Sequence, residues 1–157
     1  MDTYLNILLA EDNEDDVFLL QQAFRKAAVS SQLQTVTDGF EVLAYLSGEG
    51  IYADRAIYPF PDILLLDLNM PRKNGFEVLE WLRQKSPCPR LVVHVLSSSC
   101  RAADVRRVYD LHANSYIMKP TRIEDLIGFV TAMHQWHRFA QFPPQPEQWP
   151  HALSLAL

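Results

Sequence analysis

Three acidic side chains lie just past aliphatic runs in this sequence. Glu11 and Asp12 come after the first run, at residues 5–9, and Asp67 directly follows the run at residues 63–66. If both runs are parallel strands, these carboxylates meet and repel one another unless some are protonated or a divalent cation lies among them. Oxygen ligands with no His or Cys nearby favour Mg²⁺ over zinc, and Mg²⁺ keeps positions for water and phosphate. The pattern predicts a Mg²⁺ site with phosphate chemistry.

Two more polar side chains follow later runs, Ser97 after residues 91–96 and Lys119 after residues 115–118. An Asp carboxylate is a competent nucleophile toward a phosphoryl group. Mg²⁺ and the Lys119 ammonium can neutralise the transferring oxygens, and Ser97 offers a hydroxyl. We expect Asp67 to be the nucleophile because it ends the most apolar run, and Glu11 and Asp12 to hold the metal.

Five short aliphatic runs alternate with segments of helical period along most of the chain. The runs cover residues 5–9, 33–36, 63–66, 91–96 and 115–118. The third and fourth are apolar without alternation, which is typical of strands buried on both faces of a parallel sheet. This order predicts an α/β fold, a doubly wound five-stranded parallel sheet with helices on both faces and its site at the carboxyl ends of the strands.

Composition narrows the possible partners. The chain has 157 residues, 48% of them hydrophobic, and a formal net charge of −5, which describes one soluble globular domain. The acidic balance argues against unaided binding to nucleic acid or an anionic membrane. No secretory signal is visible, and the longest stretch without charged residues, 126–137, is too short to span a bilayer. We expect a cytoplasmic protein in which Cys88 and Cys100 are reduced thiols without a metal role.

Four motifs in register give the sequence a family resemblance. They are Ala10-Glu11-Asp12-Asn13, Leu66-Asp67-Leu68-Asn69-Met70-Pro71 with Gly75, Val95-Leu96-Ser97-Ser98 and Tyr116-Ile117-Met118-Lys119-Pro120. In their order and spacing the sequence resembles the receiver domain of bacterial two-component response regulators, from about residue 4 to residue 137. The resemblance implies a flavodoxin-like (βα)5 receiver domain over residues 1–138, followed by a proline-rich tail over residues 139–157.

The same resemblance implies a role for each motif residue. Asp67 would accept the phosphoryl group, Asp12 and Asp67 would ligate Mg²⁺ directly, Glu11 would act through water and Asn69 would contribute its backbone carbonyl. Ser97 would swing toward the phosphoryl group, Tyr116 would follow it inward as the aromatic switch, and Lys119 would bridge to the phosphate. The Lys119–Pro120 peptide bond would be cis.

The implied function is that of a stand-alone response regulator and not of a turnover enzyme. A sensor histidine kinase would phosphorylate Asp67, and details of the motifs are similar to the regulators paired with phytochrome-type kinases. Two alternatives stay open: an Asp-nucleophile phosphatase of the haloacid dehalogenase type, and an adaptor that takes no phosphate. The phosphatase needs a general acid two residues past its nucleophile, where this sequence has Asn69.

Several other residues have more than one interpretation. Phe129, Met133 and Trp136 lie roughly along one side of the last helix, where we expect a homodimer contact or burial under the tail. Tail residues Trp149, Leu153, Leu155 and Leu157 favour docking, and the aromatic loop 48–61 favours packing onto the body or a partner. We interpret Glu14–Asp16 as an acidic helix start, His94 as a core histidine, and His134 with His137 as too few ligands for a metal.

Overall fold

The computed structural model describes residues 4–145 and contains five strands and five α-helices in strict alternation. The strands are β1 (Leu5–Ala10), β2 (Ser31–Val36), β3 (Ile63–Leu66), β4 (Val92–Ser97) and β5 (Ser115–Met118). The helices are α1 (Glu14–Ala27), α2 (Gly39–Ser47), α3 (Gly75–Gln84), α4 (Ala102–Asp110) and α5 (Ile123–His137). A 3₁₀ turn, Gly50–Ala53, lies between α2 and β3.

The strands form one parallel sheet in the order β2-β1-β3-β4-β5. Strand pairing sets Ala10 beside Leu66, Leu66 beside Val95, and Ser97 beside Met118. The carboxyl ends of β1, β3, β4 and β5 therefore meet at one edge. This arrangement confirms the predicted flavodoxin-like, doubly wound fold.

Two apolar cores cover the two faces of the sheet. Residues from α2, α3 and α4 pack on one face, and residues from α1 and α5 pack on the other. The β3 side chains alternate between the cores, with Leu64 and Leu66 in the first and Ile63 and Leu65 in the second, all four at 0% exposure. Full burial of one such side chain contributes about 1.5–3 kcal/mol, so β3 is a rigid support for the residues that follow it.

The loop between α2 and β3 packs onto the body of the domain. The rings of Tyr45, Tyr52 and Tyr58 lie with their centroids 5.0–6.0 Å apart, and the Tyr45 hydroxyl donates to the Pro59 carbonyl at 2.9 Å. Tyr52, Tyr58 and Phe60 also contact the first core. Packing onto the body, one of the two expectations for this loop, is confirmed.

Helix α5 corrects the expectation of one surface stripe. Met133 is only 7% exposed, and Phe129 packs partly buried against the second core, whereas Trp136 is 72% exposed. The physical reason is helical phase, because Leu126, Val130, Met133 and His137 form the buried stripe of α5. Met133 therefore faces the core and not the surface that carries Trp136.

His137, on the buried side of α5, pairs with His94 of β4. His94 Nδ1 lies 2.6 Å from the Ser115 hydroxyl and its Nε2 lies 3.0 Å from His137 Nε2, as expected of a satisfied core histidine. Phe142 stacks on the His137 ring with 4.9 Å between centroids. The predictions for Trp149, Leu153, Leu155 and Leu157 concern positions outside the described residues. Within residues 4–145, none of the helices combines the length and apolar character that crossing a bilayer requires.

Candidate metal centre

Four predicted site residues lie at the carboxyl ends of neighbouring strands. Glu11 follows β1, Asp67 follows β3, Ser97 is the last residue of β4, and Lys119 follows β5. Backbone hydrogen bonds continue the sheet into this edge, from the Asp67 N–H to the Ala10 carbonyl at 3.0 Å and from the Lys119 N–H to the Ser97 carbonyl at 2.9 Å. The register of the sheet therefore sets the spacing of these side chains.

Glu11, Asp12 and Asp67 form a compact carboxylate cluster. Each offers an oxygen atom, and these three atoms all lie within 4.8 Å of one another. Glu11 is 4% exposed and Asp67 is 5% exposed, whereas Asp12 is open to solvent. An all-oxygen set with one exposed member fits a hard divalent cation that retains water ligands.

Burial and mutual repulsion make the charged forms of the clustered carboxyl groups less favourable. Burial raises the pKa of the Asp67 carboxyl, and the charge of Asp12 adds to this, against the opposing effect of Lys119 and of the Asn69 and Leu68 N–H groups. Burial also raises the pKa of the Glu11 carboxyl. A cation among these oxygens would compensate the repulsion, so the electrostatics agree with the geometry.

Lys119 carries the positive charge of the site. Its Nζ lies 2.7 Å from Glu11 Oε2, 3.0 Å from Asp16 Oδ2 and 3.9 Å from Asp67 Oδ1. Burial acts to lower the pKa of Lys119, but the hydrogen bond that Lys119 donates to Glu11 and the charge of Asp67 outweigh burial, so the pKa is raised. The ammonium is therefore charged and within reach of any group that forms on Asp67.

Asp16 is a site residue that the sequence interpretation missed. It lies in the first turn of α1, as expected, and its N–H donates to the Asn13 side chain that caps this helix. Its carboxylate, however, forms an ion pair with Lys119. Helical spacing gave no signal for this role, because Asp12 lies before the Asn13 cap and outside α1.

Ser97 and Tyr116 meet around the chain that follows β4. Ser97 is fully buried, and its Oγ accepts the Ser99 N–H at 3.1 Å. The Tyr116 hydroxyl donates to the Ser99 carbonyl at 2.7 Å, with its ring partly buried against the first core. A displacement at Ser97 can thus reach Tyr116 through Ser99.

Asn69 lies in the loop between β3 and α3, close to the carboxylates. It is exposed, and the Gly75 N–H closes the loop on the Leu68 carbonyl at 3.0 Å. A Cβ at position 75 would lie 2.5 Å from the Asp67 carbonyl oxygen, so only glycine permits this closure.

The predicted cis peptide at Lys119–Pro120 is wrong, because residues 4–145 contain no cis bond. The trans isomer is the more stable form of an X-Pro bond by about 0.5–1 kcal/mol. The backbone at Lys119 keeps its hydrogen bond to the Ser97 carbonyl with the bond in that form.

Comparison with known proteins shows which protein family the sequence matches. The family model described as the response regulator receiver domain matches residues 7–131. Response regulator Rcp1 of Synechocystis sp. is 35% identical over 130 residues, which are 83% of this chain and 86% of Rcp1.

Solved structures of similar proteins show the same fold. The structure of the phosphorylated cyanobacterial phytochrome response regulator RcpA matches with a TM-score of 0.80 and 38% identity, covering 90% of this chain and 100% of that one. The Mn²⁺-bound form of response regulator Rcp1 matches with a TM-score of 0.76 and 33% identity, covering 89% of this chain and 99% of that one.

Proposed function

The chain belongs to the response regulator receiver domain family, and we propose that it accepts a phosphoryl group from a sensor histidine kinase on Asp67. The observation that carries this proposal is the position of Asp67. Its buried carboxylate lies within 4.8 Å of two other carboxylates and 3.9 Å from the Lys119 ammonium. A nucleophile, a metal-binding set and a cation are thus assembled at one strand end.

In the proposed reaction an Asp67 oxygen attacks the phosphorus of a phosphohistidine. The new O–P bond forms as the P–N bond breaks, and the histidine leaves with the electron pair of that bond. Lys119 neutralises the charge on the transferring oxygens. Asp12, Asp67 and the Asn69 carbonyl would hold Mg²⁺, with Glu11 acting through water. When bound, the ion supplies further charge neutralisation.

Phosphorylation would convert the site into a switch. The phosphorylated side chain carries about −1.5 to −2 charges at neutral pH, where the free carboxylate carries −1, and the charge lies farther out on the phosphoryl oxygens. This charge would draw Lys119 from its present partners, Glu11 and Asp16, and attract the Ser97 hydroxyl. Because Ser97 and Tyr116 both bind Ser99, we expect Tyr116 and the start of α4 to rearrange with it, changing the surface offered to partners.

We place the protein in the cytoplasm with a phytochrome-type kinase as its partner. The similarity to RcpA, a cyanobacterial phytochrome response regulator, supports a partner of this kind. We also propose a homodimer through the exposed end of α5, where Trp136 is 72% exposed and Phe139 is 88% exposed. The Phe139 N–H donates to the Trp136 carbonyl at 3.1 Å, so the two exposed apolar residues are neighbours, and adjoining apolar side chains at a surface favour association.

The proposed activity differs from turnover catalysis, because the phosphoryl group stays on the protein as a signal. The haloacid dehalogenase alternative loses its support once the chain is assigned to the receiver family over residues 7–131. The adaptor alternative makes a different prediction, since it takes no phosphate at all.

Phosphoryl incorporation tests the proposal. The protein is incubated with Mg²⁺ and acetyl phosphate, and separately with an autophosphorylated phytochrome-type kinase, and intact mass is measured. We expect one phosphoryl group per chain, labile to base, and none in Asp67→Asn. Asp110→Asn, an exposed Asp at the end of α4, serves as the matched control and should be labelled like the wild type. Undiminished labelling of Asp67→Asn would refute the assignment, and an unlabelled wild type would favour the adaptor.

A further inference from the structure

A buried aspartate outside the carboxylate cluster ties together two distant parts of the chain. Asp38 is 4% exposed and lies between β2 and α2. Its Oδ1 accepts the Glu41 N–H at 3.0 Å and caps α2. Its Oδ2 accepts from Arg72, whose Nε lies 2.8 Å away, in a loop 34 residues later in the chain. A helix cap alone would use only one of these oxygens.

The ion pair is reinforced by a close backbone contact. The Gly39 N–H donates to the Lys73 carbonyl at 3.1 Å. A Cβ at position 39 would lie 2.4 Å from that carbonyl oxygen, so this approach requires glycine. Burial acts to raise the pKa of the Asp38 carboxyl, but Arg72 and the Glu41 N–H outweigh burial and lower it. The Asp38 charge is therefore fully present at neutral pH. We call these contacts, Asp38–Arg72 and Gly39–Lys73, the loop clasp.

Arg72 has a backbone conformation that needs outside support. Its φ is 63°, in the left-handed region that residues with a side chain disfavour. Its side chain is 62% exposed, so burial of Arg72 does not supply that support. Two contacts of the side chain supply the support instead. One is the ion pair with Asp38, and the other is the position of the guanidinium, 5.8 Å from the Phe40 ring centroid.

The loop clasp lies on the segment that presents Asn69. Between Asn69 and Arg72 the chain has little freedom, because Met70 is buried at 7% exposure and Pro71 has a fixed φ. The Lys73 N–H also closes onto the Pro71 carbonyl at 2.7 Å. With the other side of the loop closed from Gly75 to Leu68, the loop clasp is the second attachment that sets where the Asn69 carbonyl lies.

We propose that Asp38 and Arg72 are positioning residues for the metal centre, which they serve by fixing the loop that carries the Asn69 carbonyl. This inference rests on the proposed function, because it assigns the residues a role toward the divalent cation that Asp12, Asp67 and Asn69 would hold. The carboxylate cluster consists of Glu11, Asp12 and Asp67 and includes neither Asp38 nor Arg72, so the effect of these two residues on the metal is indirect. Partners that orient ligands in this way change metal affinity without touching the ion.

Mg²⁺ affinity, measured by isothermal titration calorimetry with the full chain, tests the role. Asp38→Asn keeps the α2 cap, since an amide oxygen also accepts from Glu41, but removes the charge. Arg72→Gln removes the partner charge, and Arg72→Gly removes it while relieving the left-handed backbone. We expect each variant to raise the Mg²⁺ dissociation constant about tenfold, the low end of the range for residues that orient ligands. The Asp38→Asn/Arg72→Gln double variant should be no weaker than either single one.

Amide hydrogen exchange supplies a readout that general loss of stability would not reproduce. In Asp38→Asn without metal, the Gly39 amide should exchange faster while the capped Glu41 amide stays protected. Asp125→Asn is the matched control, because it makes the same substitution and breaks an exposed ion pair of 3.0 Å with Arg122 at the start of α5, on the other face of the sheet. It should leave both measurements unchanged.

The outcomes separate this inference from the proposed function. Wild-type binding of Mg²⁺ with affinity unchanged in Asp38→Asn and in both Arg72 variants overturns the inference only. Equal acceleration of Gly39 and Glu41 exchange also overturns it, since that result indicates unfolding of α2. Failure of the wild type to bind Mg²⁺ overturns the proposed function together with the inference.

Discussion

Asp67→Asn should stabilise the metal-free protein, although it removes the residue on which the proposed function depends. Asp67 is 5% exposed and lies within 4.8 Å of carboxylate oxygens from Glu11 and Asp12. At an effective dielectric constant of about 20, the repulsion from Glu11 is about 3.5 kcal/mol. Asp12 is exposed, so solvent reduces its share to about half of that.

Lys119 is the charge that opposes these repulsions, and the Asn69 and Leu68 N–H groups, which also favour the carboxylate, can still donate to an amide oxygen. Lys119 Nζ lies 3.9 Å from Asp67 Oδ1, which at the same dielectric constant is worth about 4 kcal/mol. The repulsions exceed it by about 1 kcal/mol, and burial of the Asp67 charge adds to the difference. We therefore expect the free energy of unfolding to rise by about 1–2 kcal/mol in Asp67→Asn. For a domain of this size that corresponds to about 2–8 °C in Tm.

The raised pKa of Asp67 gives the same sign. Folded protein holds this proton to higher pH than the unfolded chain, whose carboxyl titrates near 3.8. The contribution of Asp67 to stability is thus greatest below that value and is lost as pH rises through the raised pKa. In Asp67→Asn this loss disappears, so the two proteins should differ most at neutral pH and converge in acid.

Urea unfolding followed by circular dichroism measures the effect, once with EDTA and once with saturating Mg²⁺. Bound metal at 100 times its dissociation constant stabilises a protein by about 2.7 kcal/mol. In saturating Mg²⁺ the wild type should gain this free energy and Asp67→Asn should gain much less. The wild type should therefore be the more stable protein with Mg²⁺ and the less stable one with EDTA. Asp110→Asn should match the wild type within about 0.5 kcal/mol in both buffers. A destabilised Asp67→Asn in EDTA would refute the reasoning about charge repulsion.

Three further perturbations probe other contacts. Burial lowers the pKa of His94 to about 4, so the unfolded chain binds a proton at higher pH than the folded protein does. The free energy of unfolding of the wild type should therefore fall by about 2 kcal/mol between pH 7 and pH 5. In urea titrations, His94→Gln should remove most of that fall. Asp16→Asn frees Lys119 from one carboxylate, and phosphorylation by acetyl phosphate should accelerate roughly two- to fivefold; an unchanged rate would contradict competition for Lys119. Trp136→Glu should lower the sedimenting mass if α5 forms the dimer, with Gln135→Glu as the exposed control; equal masses would remove that dimer model.

Much of the fold could be predicted from the sequence because buried parallel strands leave unbroken aliphatic runs. The run at residues 63–66 coincides with β3. β2 begins at Ser31, two residues before its predicted start, because this edge strand alternates polar residues such as Gln32 and Gln34 that do not resemble a buried strand. Ser97 proved to be the last residue of β4 and not the first after it.

The carboxylate cluster was predictable for a topological reason. Parallel strands place the residues after them at one edge, and Glu11, Asp12 and Asp67 follow from that rule alone. The Asp16–Lys119 and Asp38–Arg72 ion pairs do not follow from that rule. Their members lie 103 and 34 residues apart in the chain, and the contacts depend on how turns pack. Met133 was misplaced because it fits both the surface and the buried periodicity of α5.

A crystal structure with Mg²⁺ and beryllofluoride, which mimics a phosphoryl group on a carboxylate, examines the proposed site itself. We predict one ion bound by Asp12, Asp67 and the Asn69 carbonyl, beryllofluoride on Asp67, and Lys119 moved from Asp16 to a fluorine atom. Beryllofluoride on any other residue, or an ion bound away from Asp12 and Asp67, would contradict the assignment of Asp67 as phosphoryl acceptor.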